Sequence, residues 1–396
     1  MKKLLVFCFI FLAFIQCNLK SYGKDCDERI YKVVPIVETK TDSEILRAII
    51  PQNFDVNYDF LWQKDYEEPL SYSITAKSKD DDVFFFYSCP KTYIDDISDL
   101  ETNVKKSPID SVMRVSRKKY SSPENFIFEL VHFVNPNASS VEIISSKNFS
   151  KELKDYLSDE IMRKAIEMQE ELKTDRKSSM VTVSNALAEP YAALYSFKIG
   201  NKTYKQMFIT MFISMDINFT HKNGPDNYKT VTKKLWTNTG LYSFRTLAEN
   251  YDKYYDDFMV FAANSSPNQK AAYALKMTKR QMEIELSPSY YDYNTGSRLR
   301  NMPSELFRRY YSGGMADYSS EYDLQRPIIS SASWLINTIE PQSIFSYRNI
   351  SSVYKQKFYT PDKYKYFYYN PIKHVVTINK NNQKPKLGGM SLKREK

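Results

Sequence analysis

A chain of 396 residues with 56 Lys and Arg against 47 Asp and Glu carries a net charge of +9, and 42% of its residues are apolar. That is enough apolar material for a sizeable core, while the basic excess gathers in the last residues, NKNNQKPKLGGMSLKREK, instead of forming the basic, aromatic-interleaved stripe of a nucleic-acid surface. Only nine glycines are present and no P-loop, dinucleotide-binding or G-x-S-x-G pattern occurs, which argues against phosphate-cradling loops and serine-elbow hydrolysis.

The chain opens as export signals do: Lys2 and Lys3, an apolar run from Leu4 to Ile15, then a polar stretch. That run is too short for a helix across a ~30 Å hydrocarbon core. Ser21-Tyr22-Gly23 supplies the small residues a signal peptidase needs, so residues 1–23 are expected to leave and the mature chain to start at Lys24. Losing Lys2, Lys3 and Lys20 lowers the net charge to +6. The alternative makes Cys17 a lipidated N-terminus, but Phe14-Ile15-Gln16 places a bulky polar side chain before it where lipoprotein signals carry a small one. No later segment is long and apolar enough to span a membrane, so the protein is expected to be periplasmic or extracellular, or lipid-anchored if Cys17 is acylated. Two cysteines remain beyond the signal, Cys26 and Cys89, and in an oxidising compartment they are the candidate disulfide.

LSYSITAKSKDDDVFFFYSCP reads as a hairpin, two β-rich runs around a charged turn. SSPENFIFELVHFVNP begins with Ser and Pro and stops at Asn135-Pro136, as a helix does, and SSVEIISSKNF then reads as a strand. Between Lys151 and Lys173 the residues Leu153, Leu157, Ile161, Ala165, Met168 and Leu172 recur every three or four positions, which predicts an amphipathic helix. Pro190 is expected to separate two strands, MVTVSNALAE and YAALYSFKIG. The next strand, KTYKQMFITMFISMDINF, is apolar on both faces and should be central, its methionines serving as core and not as soft-metal ligands. KKLWTNTGLYSFRT predicts a further strand, AENYDKYYDDFMVFAANS a helix with Tyr251, Tyr255, Phe258 and Ala262 on one side, and residues 268–286 another helix. SPSYYDYNTGSRLRNMPSEL reads as loop, and KYKYFYYNPIKHVVTINK as a closing hairpin before a solvated basic tail over 380–396.

The phrases SYSITAKSKDDDVFFFYSCP, YSSPENFIFELVHFVNPNASSVEIISSKNF, YSFKIGNKTYKQMFITMFI and LWTNTGLYSFRT, in that order and with helices between and after them, resemble a group of uncharacterised exported bacterial proteins over residues 31–286. Their body is similar to the PsbP-type sandwich. The resemblance implies an α+β fold, an α/β/α sandwich with a central antiparallel sheet over 24–263, followed by a helical connector over 264–287, a less regular region over 288–379 and the tail. It implies no catalytic, cofactor or metal residues.

The residues agree with that silence. His132, His221 and His374 lie far apart and match no zinc spacing. The acidic runs Asp80-Asp81-Asp82 and Asp95-Asp96 lack the D-x-D-x-D-G calcium loop. Cys89, between FFFYS and a proline, reads as buried or paired more readily than as a nucleophile. Six N-x-S/T sequons, at Asn137, Asn148, Asn201, Asn218, Asn264 and Asn349, matter only in a glycosylating host. The abundance of tyrosine and phenylalanine, 32 and 24, fits AT-rich codon usage, although strand-borne tyrosine also makes binding surface. The function expected is a non-catalytic module that docks an envelope or extracellular protein, without cofactor. Two alternatives stand beside it: a hydrolase assembled from scattered residues, and a small-molecule or lipid carrier with a cavity beside Phe208 and Phe212.

Overall fold

The computed structural model describes residues 28–63, 68–79, 82–96, 116–147, 149, 151–174, 181–222, 228–267, 269–285, 302–313, 342–348, 355–381, 385 and 389–392. In chain order these form β1 (Glu28–Glu38), β2 (Ser43–Pro51), β3 (Phe54–Trp62), β4 (Leu70–Ser78), β5 (Phe84–Ser88), β6 (Lys91–Asp96) and β7 (Ser116–Arg117). Helix α1 (Pro123–Val134) leads into β8 (Ser139–Lys147), and α2 (Lys151–Thr174) into the long strands β9 (Val181–Ile199), β10 (Lys202–Lys222) and β11 (Tyr228–Leu247). The chain continues through α3 (Tyr251–Asn264), β12 (Ser266–Pro267), α4 (Gln269–Glu285), α5 (Met302–Ser312), β13 (Gln342–Arg348), β14 (Lys355–Pro361), β15 (Tyr366–Asn370), β16 (Val375–Asn379) and β17 (Met390–Leu392).

The strands make a nine-stranded sheet, with main order β3-β4-β5-β11-β10-β9-β8, a six-stranded sheet β12-β2-β1-β16-β15-β17, and the separate hairpin β13-β14. Pairing is antiparallel throughout the described strands except between β6 and β7, and with the helices this makes an α+β fold. The doubly apolar β10 is central, between β9 and β11. Met207, Ile209 and Met211 fill the core on one face, while Phe208 and Phe212 are buried on the other. Its methionines are core side chains, as a spacing of two on a buried face requires.

The two expected strands around Pro190 are one strand, β9. Pro190 pairs with Met211 of β10 on one side, and on the other side the ladder to β8 stops at Lys147 opposite Ala192. Proline has no N–H to donate and is accepted where one side of a strand lacks a partner; among the described residues the β8 ladder ends before it, and the strand runs on.

Helix α3 is also more enclosed than its single stripe suggests, because it lies between the two sheets. Phe258 and Phe261 pack on Phe85 at 5.7 and 5.6 Å, on the side of the nine-stranded sheet. Val260 joins Tyr31, Val33 and Ile49 of the six-stranded sheet. Residues Asp256 to Ala263 are all buried.

The closing hairpin exists as β15 and β16, but it does not stand apart from the preceding body. β16 pairs with β1 from Glu28↔Asn379 to Lys32↔Val375, so the two ends of the described chain share one sheet. Within the expected disordered tail, Met390–Leu392 pairs with β15. Gly389 permits that approach: its φ is +153°, and a Cβ there would stand 3.3 Å from the Tyr369 carbonyl oxygen. The expected loop 287–306 runs into α5 from Met302, where Pro303 near the start and the pair Leu306 and Phe307, both buried, mark an amphipathic turn. Among the described residues no helix is long and apolar enough to cross a membrane.

Candidate functional site

Two adjacent carboxylates are buried in α3. Asp256 and Asp257 stand side by side in the buried stretch of that helix, so both must meet partners. Arg29 of β1 reaches Asp257 at 2.8 Å and Asp256 at 3.4 Å, and Lys363 reaches Asp256 at 2.7 Å. The hydroxyls of Tyr31 and Tyr364 donate to Asp257 and Asp256 at 2.8 and 2.9 Å. Burial pushes the Asp257 carboxyl above the usual carboxylate range, with the Arg29 guanidinium pulling the other way. Two carboxylates with a guanidinium beside them resemble a catalytic cluster. Their oxygens, however, are engaged by groups from β1 and from the turn before β15, so the cluster acts as a joint that clamps the first strand and the C-terminal turn onto the central helix.

A second cluster lies on the opposite face of the nine-stranded sheet. Trp236 of β11, fully buried, stacks on Tyr93 of β6 at 4.4 Å and on Phe212 of β10 at 5.3 Å. Phe126 of α1 meets Phe212 edge-on at 5.2 Å. Residues 118–120 strap this stack: the Trp236 indole donates to the Lys118 carbonyl at 3.0 Å, the Lys118 ammonium lies 4.5 Å from the Phe126 ring centre, and the Tyr120 hydroxyl donates to Glu189. Next to it, Lys234 pairs with Asp216 at 3.3 Å. Phe208 and Phe212 are thus packed against helix and strap side chains where a carrier cavity would have stood.

The other residues singled out in the sequence do not converge. Cys89 is a buried free thiol that accepts from the Tyr72 amide at 3.2 Å, and burial pushes it up to about 11, away from the thiolate a nucleophile needs. Cys26, its expected partner, and Cys17 lie outside the described residues. His132 is exposed on α1 with its ring 4.9 Å from Phe128, His221 lies in β10 opposite Lys229 and not in a loop, and His374 sits in the β15–β16 turn at φ +51°. Asp95 accepts from the Tyr120 amide at 2.8 Å, and Asp80 and Asp81 lie outside the described residues. Among the described residues no group of three His, Cys, Asp or Glu is placed to hold a metal ion. Of the sequons, Asn264 bonds through its side chain to Val260 and to both the N–H and carbonyl of Tyr359, tying α3 to β14.

The surface offers a different kind of site. Helix α1 is capped by the Ser122 side chain, which accepts from the Asn125 amide, and it buries Pro123, Ile127 and Val131 against the sheet. Its end is fixed by Asn135, whose amide donates to Val131 and Gln206 and accepts from Arg245. So held, the helix turns Phe128 and Phe133 outward, Phe133 82% exposed. Four residues later β8 begins, the terminal strand of the nine-stranded sheet, with Ile143 and Ile144 at 44% and 49% exposure. Two consecutive elements therefore present an apolar helix flank and a strand whose outer edge has no partner among the described residues, the arrangement that takes up an added strand. The sequence carried a signal for this, since Phe128 and Phe133 fall off the Ile127–Val131 stripe, but the general abundance of aromatics masked it. Comparison with protein-family models and with curated proteins returned no match.

Proposed function

We propose that this chain is an exported, non-catalytic interaction module that docks an extended protein segment along the edge formed by α1 and β8. The observation that carries the reading is the concentration of exposed apolar side chains, Phe128, Phe133, Val134, Ile143 and Ile144, on two consecutive elements at the end of a sheet. The charged pattern of residues 1–23 supports export, with Cys17 as the point of attachment if it is acylated. The antiparallel sheet with α1 on one face and α2 and α3 on the other supports the PsbP-like part of the reading. The joint at Asp256 and Asp257 is closed by packing, and the Phe208–Phe212 face is filled, so neither supplies a substrate pocket.

The test is co-purification from the native envelope of the full chain and of an Ile144→Asp variant, which places a charge on the edge strand. A stoichiometric protein held by the first and lost by the second supports docking. Equal retention by both, together with a measured turnover, sinks it.

A further inference from the structure

We propose that the flank of α1 away from β8 holds a second binding site, one for a carboxylate, between Lys77 of β4 and Arg245 of β11 at the ring of Phe84 on β5. The site lies apart from the docking edge and does not depend on it, because β9, β10 and β11 separate β8 from β5 in the sheet.

The sheet itself aligns these residues. Strand β5 alternates, with Phe85 and Tyr87 in the main core and Phe84 and Phe86 half-buried on the face that carries α1. Lys77 is the register partner of Phe84 on one side and Arg245 on the other, so the three stand in one row across adjacent strands with their side chains on one face. The Lys77 ammonium lies 5.6 Å from the centre of the Phe84 ring and the Arg245 guanidinium 5.5 Å from it. Lys77 is exposed and Arg245 is half-buried, so the row opens to solvent at one end and reaches the foot of α1 at the other.

Two cations thus meet at one ring, and among the described residues neither has an acid within ion-pair reach. Asp55, the register partner of Lys77 on β3, is drawn to Lys79 at 3.4 Å, and Asp82 accepts from the Tyr204 hydroxyl at 2.6 Å. The one hydrogen bond the guanidinium makes among the described residues, from Nη1 to the Asn135 side-chain oxygen at 3.0 Å, goes to a neutral group and needs no charge to hold the helix foot. Its Nε is buried with no partner. A half-buried cation without a counter-ion is unfavourable. The Tyr204 ring of β10, 5.9 Å from the guanidinium carbon, makes a second wall. Held between rings from β5 and β10, the planar fork keeps its remaining terminal N–H groups aimed for the two oxygens of a carboxylate.

Charge selects the class of ligand. Lys77 and Arg245 are both positive and Asp82, at the end of the Tyr204 ring, is negative, so the balance among the described residues suits a monoanion. A phosphate monoester, at about −2 near neutral pH, would be repelled by Asp82.

The experiment follows amide shifts of the full exported chain by NMR as sodium acetate replaces sodium chloride at constant ionic strength. Acetate should saturate a single site, with the shifts centred on residues 77, 84 and 245. Arg245→Gln, which keeps a donor for Asn135, should weaken binding about tenfold, and Lys77→Gln, on the exposed side, about threefold. Lys79→Gln removes a nearby cation that Asp55 already answers and should change nothing. Because Lys77 and Lys79 are both exposed, their variants keep the test valid even if Arg245→Gln unfolds. No saturable binding of acetate, an equal loss from Lys79→Gln and Lys77→Gln, or inorganic phosphate binding more tightly than acetate overturns the proposal. A short peptide with one central Glu identifies the source: binding well above that of acetate and lost on Glu→Gln in the peptide assigns the carboxylate to a protein segment, and binding no tighter than acetate assigns it to a free organic acid. Ile144→Asp should leave acetate binding unchanged, so failure here and failure of the β8 edge are read separately.

Discussion

Helices α1 and α3 pack on opposite faces of the same nine-stranded sheet and end up with contrary characters. α3 is roofed by a second sheet, buries every residue from Asp256 to Ala263 and answers its two carboxylates with Arg29, Lys363 and two tyrosines. α1 has no second layer above it among the described residues, buries only Pro123, Ile127 and Val131, and leaves Phe133 in solvent. The presence of a second layer decides the difference. Where it is present, even charge is drawn into structure; where it is missing, aromatic side chains are left as surface that costs nothing to remove from the fold and is available for recognition.

The contrast is broken most severely in α3. Phe258→Ala should lower unfolding free energy by about 3 to 5 kcal/mol, because the ring touches Phe85 and Phe244 and its loss leaves a cavity between sheets. Arg29→Ala should cost about 3 kcal/mol by taking the guanidinium away from the buried Asp257, while Asp256 keeps Lys363. Double-mutant coupling to Asp257→Asn checks it: additive losses would mean that the joint is not a unit. Both are read by urea unfolding.

The foot of α1 comes next. Asn135→Ala removes bonds to Val131, Gln206 and Arg245 and should cost about 2 kcal/mol. Loss of less than a quarter of that in the same assay would show that α1 is held by its apolar stripe alone. Phe133→Ser, one turn away from no buried neighbour, should change stability by less than about 0.5 kcal/mol while abolishing capture at the α1–β8 edge. A large stability loss would place Phe133 in the core and dissolve the contrast.

Cys89 gives the mildest effect. Its thiol titrates at about 11 against an ordinary value near 9, so the folded protein holds the proton longer than the unfolded chain. That contribution to stability is complete below about pH 9 and is lost as pH rises through 11. Thiol reagents at pH 8 should therefore label Cys89, located by peptide mapping, only as fast as the protein unfolds. Rapid labelling in native buffer would contradict the burial.

The locally signalled elements were legible in the sequence. Ser122-Pro123 and Asn135-Pro136 bracket α1, the turn KSKDDD separates β4 from β5, and the doubly apolar β10 lies at the centre of its sheet. What escaped depends on neighbours the local sequence cannot name. Pro190 breaks a strand only where a partner awaits its N–H, and that depends on where β8 ends. The pairing of β1 with β16 joins residues some 350 positions apart and leaves no periodic trace. Asp256 and Asp257 passed unremarked in the sequence, because their meaning comes from Arg29 and Lys363, which tertiary contact alone supplies. The candidate edge was half legible: the strand SSVEIISSK could be read, but its position at the end of a sheet could not.

Hydrogen exchange of the β8 amides, compared between the free chain and the chain holding the protein that co-purifies with it, tests the α1–β8 edge most directly. Outward-facing amides of residues 139–147 should exchange quickly in the free chain and become protected in the complex, while amides of β3 at the opposite end of the sheet stay unchanged. Exchange in β8 that is indifferent to the bound protein, or protection that appears equally in β3, would contradict the account.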